Sequence, residues 1–389
     1  LEDLVGRAAK VAARTVGAGR DPLDHGRIAR ELVAWYPAVA RELPWRRATK
    51  LTRNGARRDA WLSLVSEFML QQTQVSRVME KFDPFVMRFP TPAALAAAPE
   101  HDVMAMWSGL GYYRRARLLH AAAKAVVELC GGEVPRDPDA LLKLPGVGRY
   151  TAGAIASIVF GVAAPIVDGN VSRVLLRLSA KRSSAADSAD WSWDHAGKLV
   201  QAAGEAGIDV GVMNEGLMEL GATVCTPKAP RCGACPLAAH CQAKSRGLVE
   251  DIPTPKVAAK RKSITADVVV VTSGGRVLVR QRPATGLWAK MWEAPTREMP
   301  GEPGDVATGS IASDLGLAYE LRQPEINAFL HKTTHRDVFF RVWRVKGEAV
   351  SLGKHTPARV ERWVRSSEIE SLGLSNPQAG ILRAALGQA

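Results

Sequence analysis

Through about Cys241 the apolar positions recur at helical spacing, and beyond about Ser263 they alternate as in strands. In WLSLVSEFMLQQTQV, Trp61 to Val75, the apolar stripe runs through Trp61, Leu64, Val65, Phe68 and Met69, with Glu67 beside it. From Pro90 to Leu129 the pattern predicts short helices broken by turns near Pro92, Pro99 and the glycines at 109 and 111. Thr151 to Phe160 is rich in small residues and predicts one closely packed helix, closed by Gly161 and Pro165. Val268–Val271, a turn at Ser273–Gly275 and Val277–Val279 predict a β-hairpin. Between the two regimes, 242–262 is polar, with Pro253, Pro255 and a basic tail from Lys256 to Lys262, the composition of a linker. The expected organisation is an arm over 1–26, a mainly α body over 27–241, a linker over 242–262 and an α/β domain over 263–389.

Composition narrows the function. A chain of 389 residues buries a sizeable core and suits two or three domains better than one. A formal net charge of +13 asks for a polyanionic partner, either nucleic acid or an anionic membrane surface. No apolar run reaches transmembrane length, and no apolar core of a secretory signal is visible. Of the five cysteines, Cys225, Cys232, Cys235 and Cys241 crowd together, which fits a metal site in a reducing compartment better than a disulfide framework. Zinc on four cysteines usually shows two tight pairs, whereas here only Cys232 and Cys235 are tight, so zinc and iron–sulfur both remain open at this point. The fifth, Cys130, reads as a small buried hydrophobe.

Three stretches carry candidate chemistry. The first, LPGVGRYTAGAIASIVFGVAAPIVDGNVSR from Leu144 to Arg173, opens with Gly146 and Gly148, which permit a tight hairpin between helices. Such a hairpin presents bare N–H groups beside a helix N-terminus, which suits a phosphate. Near its end Asp168 stands where a helix N-cap is expected, so a capping role explains it as well as a chemical one. The second is Glu67, ordinarily a helix-face charge; if buried beside Trp61, Leu64 and Phe68, its carboxyl would hold a proton toward neutral pH and act as an acid. The third is Trp107-Ser-Gly-Leu-Gly-Tyr-Tyr-Arg-Arg-Ala-Arg, whose glycines, tyrosines and arginines suit a loop entering a helix against nucleic acid, or a packed turn before a solvated basic helix. Arg47, Lys50, Arg53, Arg57 and Arg58 form a basic loop that is either solvated or close to phosphate.

Together, Glu67-x-x-x-Gln71-Gln72-Thr73, LPGVG followed by Val-Asp168-Gly-Asn170, and the 6-2-5 cysteine spacing resemble the helix-hairpin-helix DNA glycosylase superfamily. In detail they resemble its MutY-type adenine glycosylases, over about Trp35 to Leu374. The resemblance implies that Glu67 protonates a departing adenine while Asp168, supported by Asn170, faces the oxocarbenium ion that develops. It puts Arg46 beside the base pocket, Gln72 as a wedge in the duplex and Thr73 at the DNA edge. It makes Leu110, Gly111 and Tyr112 contacts to the opposite, damaged base. Lyase-type relatives carry a lysine two residues after the last hairpin glycine; here Tyr150 stands there, and a phenol forms no Schiff base, so monofunctional hydrolysis is implied. Further implications are a [4Fe–4S] cluster on the four cysteines and a duplex partner with adenine opposite 8-oxoguanine or guanine. A monomer in a bacterial cytoplasm, associated with the nucleoid, completes the expectation.

Beyond the linker, Trp292-Glu293-Ala294-Pro295 resembles the W-E-x-P turn of Nudix-type domains. A nucleotide hydrolase of that fold needs clustered glutamates, and Gly301 to Leu317 offers only Glu302, Asp305 and Asp314, so a lesion-reading module is expected instead. Thr333-Thr334-His335 stands where the family has a Phe-Ser-His run against the oxidised guanine; Thr334 and His335 keep a hydroxyl and an imidazole, while the phenyl is absent. Two other functions are alternatives: a thymine or uracil mismatch glycosylase of the same superfamily, and a non-catalytic DNA-binding protein.

Overall fold

The computed structural model describes residues 23–47, 58–255, 261–303, 328–333, 335–346 and 360–386. Residues 1–22 of the arm expected over 1–26, the loop residues Lys50, Arg53 and Arg57, the acidic positions Asp305 and Asp314, and Thr334 lie outside the described residues, while 23–26 lead into the first helix. In chain order the helices are α1 (His25–Val39), α2 (Ala60–Leu70), α3 (Val75–Arg88), α4 (Pro92–Ala97), α5 (Glu100–Met106), α6 (Arg114–Cys130) and α7 (Pro138–Leu142). They continue as α8 (Arg149–Ala154), α9 (Gly169–Leu178), α10 (Ala189–Glu205), α11 (Val210–Thr223), α12 (Gln242–Ser245) and α13 (Asn376–Ala385). The strands are β1 (Lys262–Ser273), β2 (Arg276–Gln281), β3 (Trp292–Glu293), β4 (Thr296–Pro300), β5 (Ala328–Lys332), β6 (Arg336–Lys346) and β7 (Glu361–Arg365). Among the described residues no helix is long and apolar enough to cross a membrane.

The chain forms two compact units, each assembled from separated segments: Leu1–Arg41 with Ala156–Lys256, and Glu42–Ile155 with Val257–Ala389. The first is helical. Asp24 caps α1 by accepting the Arg27 N–H, and α1 packs on α11 where Gly216 lets Leu32 and Tyr36 approach; a β-carbon there would stand 3.2 Å from each. Gly211, at the start of α11, lies so close to the Ser157 carbonyl that a β-carbon would come within 2.6 Å of it. The helix expected over Thr151–Phe160 is α-helical only to Ala154 and then widens into a π-helical turn, Ile155–Val159. The same turn takes a hydrogen bond from the Asn214 amide on the Ser157 hydroxyl, so packing against α11 goes with the change of period. Residues 242–255, polar enough to be expected as linker, pack back on this unit, because Ala243 and Ile252 join Leu176 in a small buried cluster.

The second unit combines α2–α8 with the sheet. Asp59 caps α2, and Trp61 anchors it by donating to the Phe89 carbonyl. Phe68, Phe82, Phe85, Phe89 and Trp107 form the buried centre of the helical part. The sheet runs β3-β2-β1-β6-β5, with β4 and β7 pairing off that path on β1 and β2. The expected hairpin is present: β1 and β2 join at Gly274 and Gly275, both at positive φ (52° and 72°), the geometry whose twist matches antiparallel strands. Alternation sends Val268, Val270, Val277, Val279 and Phe340 to the face covered by α13, and Val269, Val271, Leu278 and Trp343 to the other. At the register pair Asp267↔Arg341, β1 and β6 run parallel and a buried bidentate ion pair spans them at 2.6 and 2.8 Å. Replacing Arg341 by methionine leaves Asp267 buried and unpaired and is expected to cost about 3–5 kcal/mol in a denaturant titration. Adding Asp267→Leu is expected to recover most of that loss; a single variant as stable as the parent would contradict this account of the sheet.

Candidate active site

Glu67 is half-buried near the C-terminal end of α2, flanked by buried Ser66 and Phe68. The stripe from Trp61 does not continue as one helix to Val75: α2 stops at Leu70, and Gln72 takes a positive φ of 55° before α3 begins. Arg115 on α6 explains the stop. One guanidinium nitrogen donates to the carbonyls of Phe68 and Met69 at 2.9 and 2.8 Å, occupying acceptors a continuing helix would have used. The other donates to the Thr73 hydroxyl at 2.9 Å and to the carbonyls of Leu110 and Gly111 at 3.2 and 3.1 Å. Burial is the main cause that brings the Arg115 guanidinium down to about 10, against which the Tyr112 phenol acts. Arg115 thus ties together the end of the Glu67 helix, the Gln72–Thr73 turn and the Leu110–Tyr112 loop.

Of the run entering α6, only part faces solvent. Tyr112 is 48 % exposed at a positive φ of 47°, and Arg114 is exposed, while Tyr113 and Arg115 are buried, so the run combines an exposed loop residue with a packed turn. Leu110 is buried, and Gly111 sits at φ 70° with its carbonyl also accepting from the Trp107 indole. Gln72, like Tyr112, is an exposed side chain on a backbone that costs free energy to hold. The hairpin between α7 and α8 is as expected: Gly146 has φ 79°, and a β-carbon on it would come within 2.9 Å of the Phe68 ring and 2.8 Å of Leu118. Gly148 is exposed at the N-cap of α8 with open space where a side chain would stand, and Tyr150 is half-buried one residue into that helix. Arg46 ends a short turn behind the buried Trp45 and is half-buried.

Asp168, in the first unit, is the N-cap of α9, as expected. One carboxylate oxygen accepts the Val171 N–H at 2.7 Å, and the other accepts the Asn170 amide at 2.9 Å. Arg173 holds Asn170 from the other side, donating to its side-chain oxygen at 2.9 Å and to the carbonyls of Gly221 and Cys225 at 2.8 Å each. Gly221 has to be glycine, since a β-carbon would stand 2.6 Å from that of Asn170. Arg177, one turn on, donates to the carbonyls of Ile252 and Thr226 and approaches the Cys225 sulfur at 3.4 Å. Sequence reasoning missed Arg115, Arg173 and Arg177, because an arginine on a helix reads as solvated; the signal available was their position among residues expected in the core.

Cys225, Cys232, Cys235 and Cys241 line one small opening together with Arg177 and Val224. All four are free thiols, and among the described residues no group of His, Cys, Asp and Glu closes on a single ion position. Burial pushes the Cys235 thiol up to about 11, with the neighbouring cysteines adding to the rise. Burial likewise raises Cys241. Thiolates gathered this closely fit a cationic group among them, so the donor set suits an iron–sulfur cluster. Lys228 and Arg231 are exposed on the same loop. On the sheet, His335 is exposed in the β5–β6 turn, where Thr333 closes the turn by bonding both the N–H and the carbonyl of Arg336. His331 is half-buried against the Trp288 ring, 5.9 Å between centroids.

Residues 65–189 match the profile of the HhH-GPD superfamily base excision DNA repair protein, and residues 267–384 match that of the NUDIX domain. The chain is similar to the adenine DNA glycosylase of Rattus norvegicus, 39% identical over 69% of this chain and 60% of that protein. It is 32% identical to the adenine DNA glycosylase of Homo sapiens over 92% of this chain and 73% of that protein. Against the adenine DNA glycosylase of Mycolicibacterium smegmatis it is 44% identical over 56% of this chain and 69% of the relative. The chain thus spans less than two thirds of the rat protein's length.

Lysine in place of Arg115 keeps a charge but loses the planar fork that serves several acceptors at once. Arg115→Lys is expected to speed amide hydrogen exchange in 68–73 and 110–113 and leave β1 and β6 unchanged. It is also expected to lower stability by about 1–3 kcal/mol as carbonyls lose their donor. Unaltered exchange in both segments would show that Arg115 does not hold them.

Proposed function

We propose that this chain, which belongs to the adenine DNA glycosylases of the HhH-GPD superfamily, removes undamaged adenine paired with 8-oxoguanine or guanine in duplex DNA. The reaction is hydrolysis of the N-glycosidic bond without strand scission. The observation that carries the reading is Asp168, whose carboxylate is aimed by the Val171 N–H and the Asn170 amide and whose amide partner is braced by Arg173.

The chemistry asks for an acid and a carboxylate at one nucleotide, extruded from the stack. Glu67 is assigned the acid: its carboxyl proton passes to the departing adenine while the bond to the sugar breaks and its electron pair leaves with the base. Asp168 is assigned the carboxylate, stabilising the positive charge that grows on the sugar until water adds and gives up a proton. Gln72 and Tyr112, exposed on strained backbone, are assigned to the duplex at the extruded nucleotide and to the opposite base, with Arg46, Thr73, Leu110 and Gly111 supporting them. Gly146 and Gly148 are assigned to phosphate, and Thr334 and His335 to the oxidised guanine. Cys225, Cys232, Cys235 and Cys241 are assigned a [4Fe–4S] cluster that, when bound, braces the basic loop bearing Lys228 and Arg231. The proposed setting is a monomer in a bacterial cytoplasm.

Single-turnover reactions on a panel of duplexes, quenched with and without alkali, test the reading. Adenine is expected to leave fastest opposite 8-oxoguanine, with strands cut only after alkali because Tyr150 supplies no amine. Steady release of thymine from mismatches without release of adenine would put the thymine–uracil reading in its place, and no base release at all would favour a non-catalytic DNA-binding protein. High-yield trapping of a covalent adduct with borohydride would contradict the absence of a lyase step. Anaerobically purified protein is expected to be brown and to carry about four irons per chain; stoichiometric zinc without iron would refute the cluster assignment.

A further inference from the structure

The first turn of α6 faces two ways within the second unit. Arg115 reaches the carbonyls at the end of α2, while Tyr113 and Arg117, four residues apart and on one face of the turn, reach the C-terminal sheet domain. The Tyr113 hydroxyl, buried, donates to the Leu374 carbonyl at 2.8 Å, and Tyr113 directly follows the exposed Tyr112 in the chain. It therefore joins the sheet domain to the loop that ends in Tyr112. Arg117 donates to the Ala289 carbonyl at 2.8 Å. Ala289 is held between Trp288 and Lys290, both at positive φ (53° and 59°), a conformation L-residues adopt only when their surroundings impose it. Lys290 approaches Glu100 on α5 at 3.8 Å, and Gly373 abuts Met104 so closely that a β-carbon would stand 3.0 Å away.

From Ala289 the contacts continue to the β5–β6 turn. The Trp288 ring packs on His331 of β5 at 5.9 Å and on Phe340 of β6 at 6.2 Å, and β5 leads directly into Thr333 and His335. One chain of packed groups thus runs from the turn assigned to the oxidised guanine, through His331, Trp288 and the Ala289 carbonyl, to Arg117, Tyr113 and the Tyr112 loop. We infer that Tyr113 and Arg117 are specificity-determining positioning residues, which fix the sheet domain to the Tyr112 loop so that faster adenine release opposite 8-oxoguanine than opposite guanine depends on them. The Tyr113 hydroxyl is buried and bonded, and one Arg117 guanidinium nitrogen is taken by a carbonyl, so both are assigned to positioning rather than to contact with DNA. The inference rests on the function proposed above.

The test compares single-turnover adenine release from duplexes with adenine opposite 8-oxoguanine and opposite guanine. Wild type, Arg117→Met and the double variant Tyr113→Phe/Arg117→Met are measured, the phenylalanine keeping the ring and removing only the hydroxyl. The double variant is expected to lose about tenfold in rate opposite 8-oxoguanine and to stay within about twofold opposite guanine, an ordinary coupling between sites. Arg117→Met is expected to lose less, in the same direction; Arg117 is only half-buried, so this variant carries the test if the double variant fails to fold. An equal fall on both duplexes, or an unchanged ratio, overturns the inference alone when wild type discriminates. A wild type that treats both duplexes alike overturns the functional reading and the inference with it.

Discussion

A guanidinium taken out of water must find acceptors for its donors, and for three arginines of this chain most of the acceptors are backbone carbonyls around the candidate catalytic residues. Arg115 binds the carbonyls of Phe68, Met69, Leu110 and Gly111 in one unit. In the other, Arg173 binds those of Gly221 and Cys225, and Arg177 those of Ile252 and Thr226. Each is a bracket: an unpaired buried carbonyl or guanidinium costs more than a mobile loop gains in entropy, so the segments stay where the arginine holds them. Burial lowers the pKa of Arg115 and of Arg173, the physical mark of this arrangement.

Strain accumulates beside these brackets. Gln72 and Tyr112, both outside the helices, hold positive φ values on side chains that face solvent. A flexible loop would relax them; segments fixed by Arg115 and by the Trp107–Gly111 hydrogen bond do not. In the proposed complex, two exposed side chains prepared in this way would lose little freedom on meeting a duplex, which helps offset the cost of opening a base pair. The sheet domain extends the principle through the twin positive-φ residues Trp288 and Lys290, whose intervening carbonyl is taken by Arg117.

Several features were legible in the amino-acid order because local physics decides them. Asp168 before a glycine and an asparagine caps a helix wherever that helix lies, and Ser-Gly-Gly between valine runs makes a hairpin. The glycines of the α7–α8 turn, the four cysteines and the Nudix-like sheet were likewise readable from spacing and composition. What tertiary contacts decide was not readable. The stop of α2 at Leu70 depends on an arginine 45 residues away, and the π-helical turn at Ile155–Val159 packs against Gly211 and Asn214. The stretch 242–255 looked like linker because its buried residues, Ala243 and Ile252, are few, yet they suffice to dock it.

The proposed reaction depends on two carboxylates with different tasks. Its most direct test is single-turnover adenine release by Glu67→Gln and by Asp168→Asn, with binding to the uncleaved mismatched duplex measured in parallel. Glu67→Gln removes the proposed proton donor at nearly constant size, and Asp168→Asn removes the charge proposed to face the sugar. Each is expected to slow release on the order of hundredfold to ten-thousandfold while duplex binding persists, because phosphate contacts are untouched. Release by Glu67→Gln at nearly the wild-type rate would reduce Glu67 to a charge on a helix and contradict the mechanism.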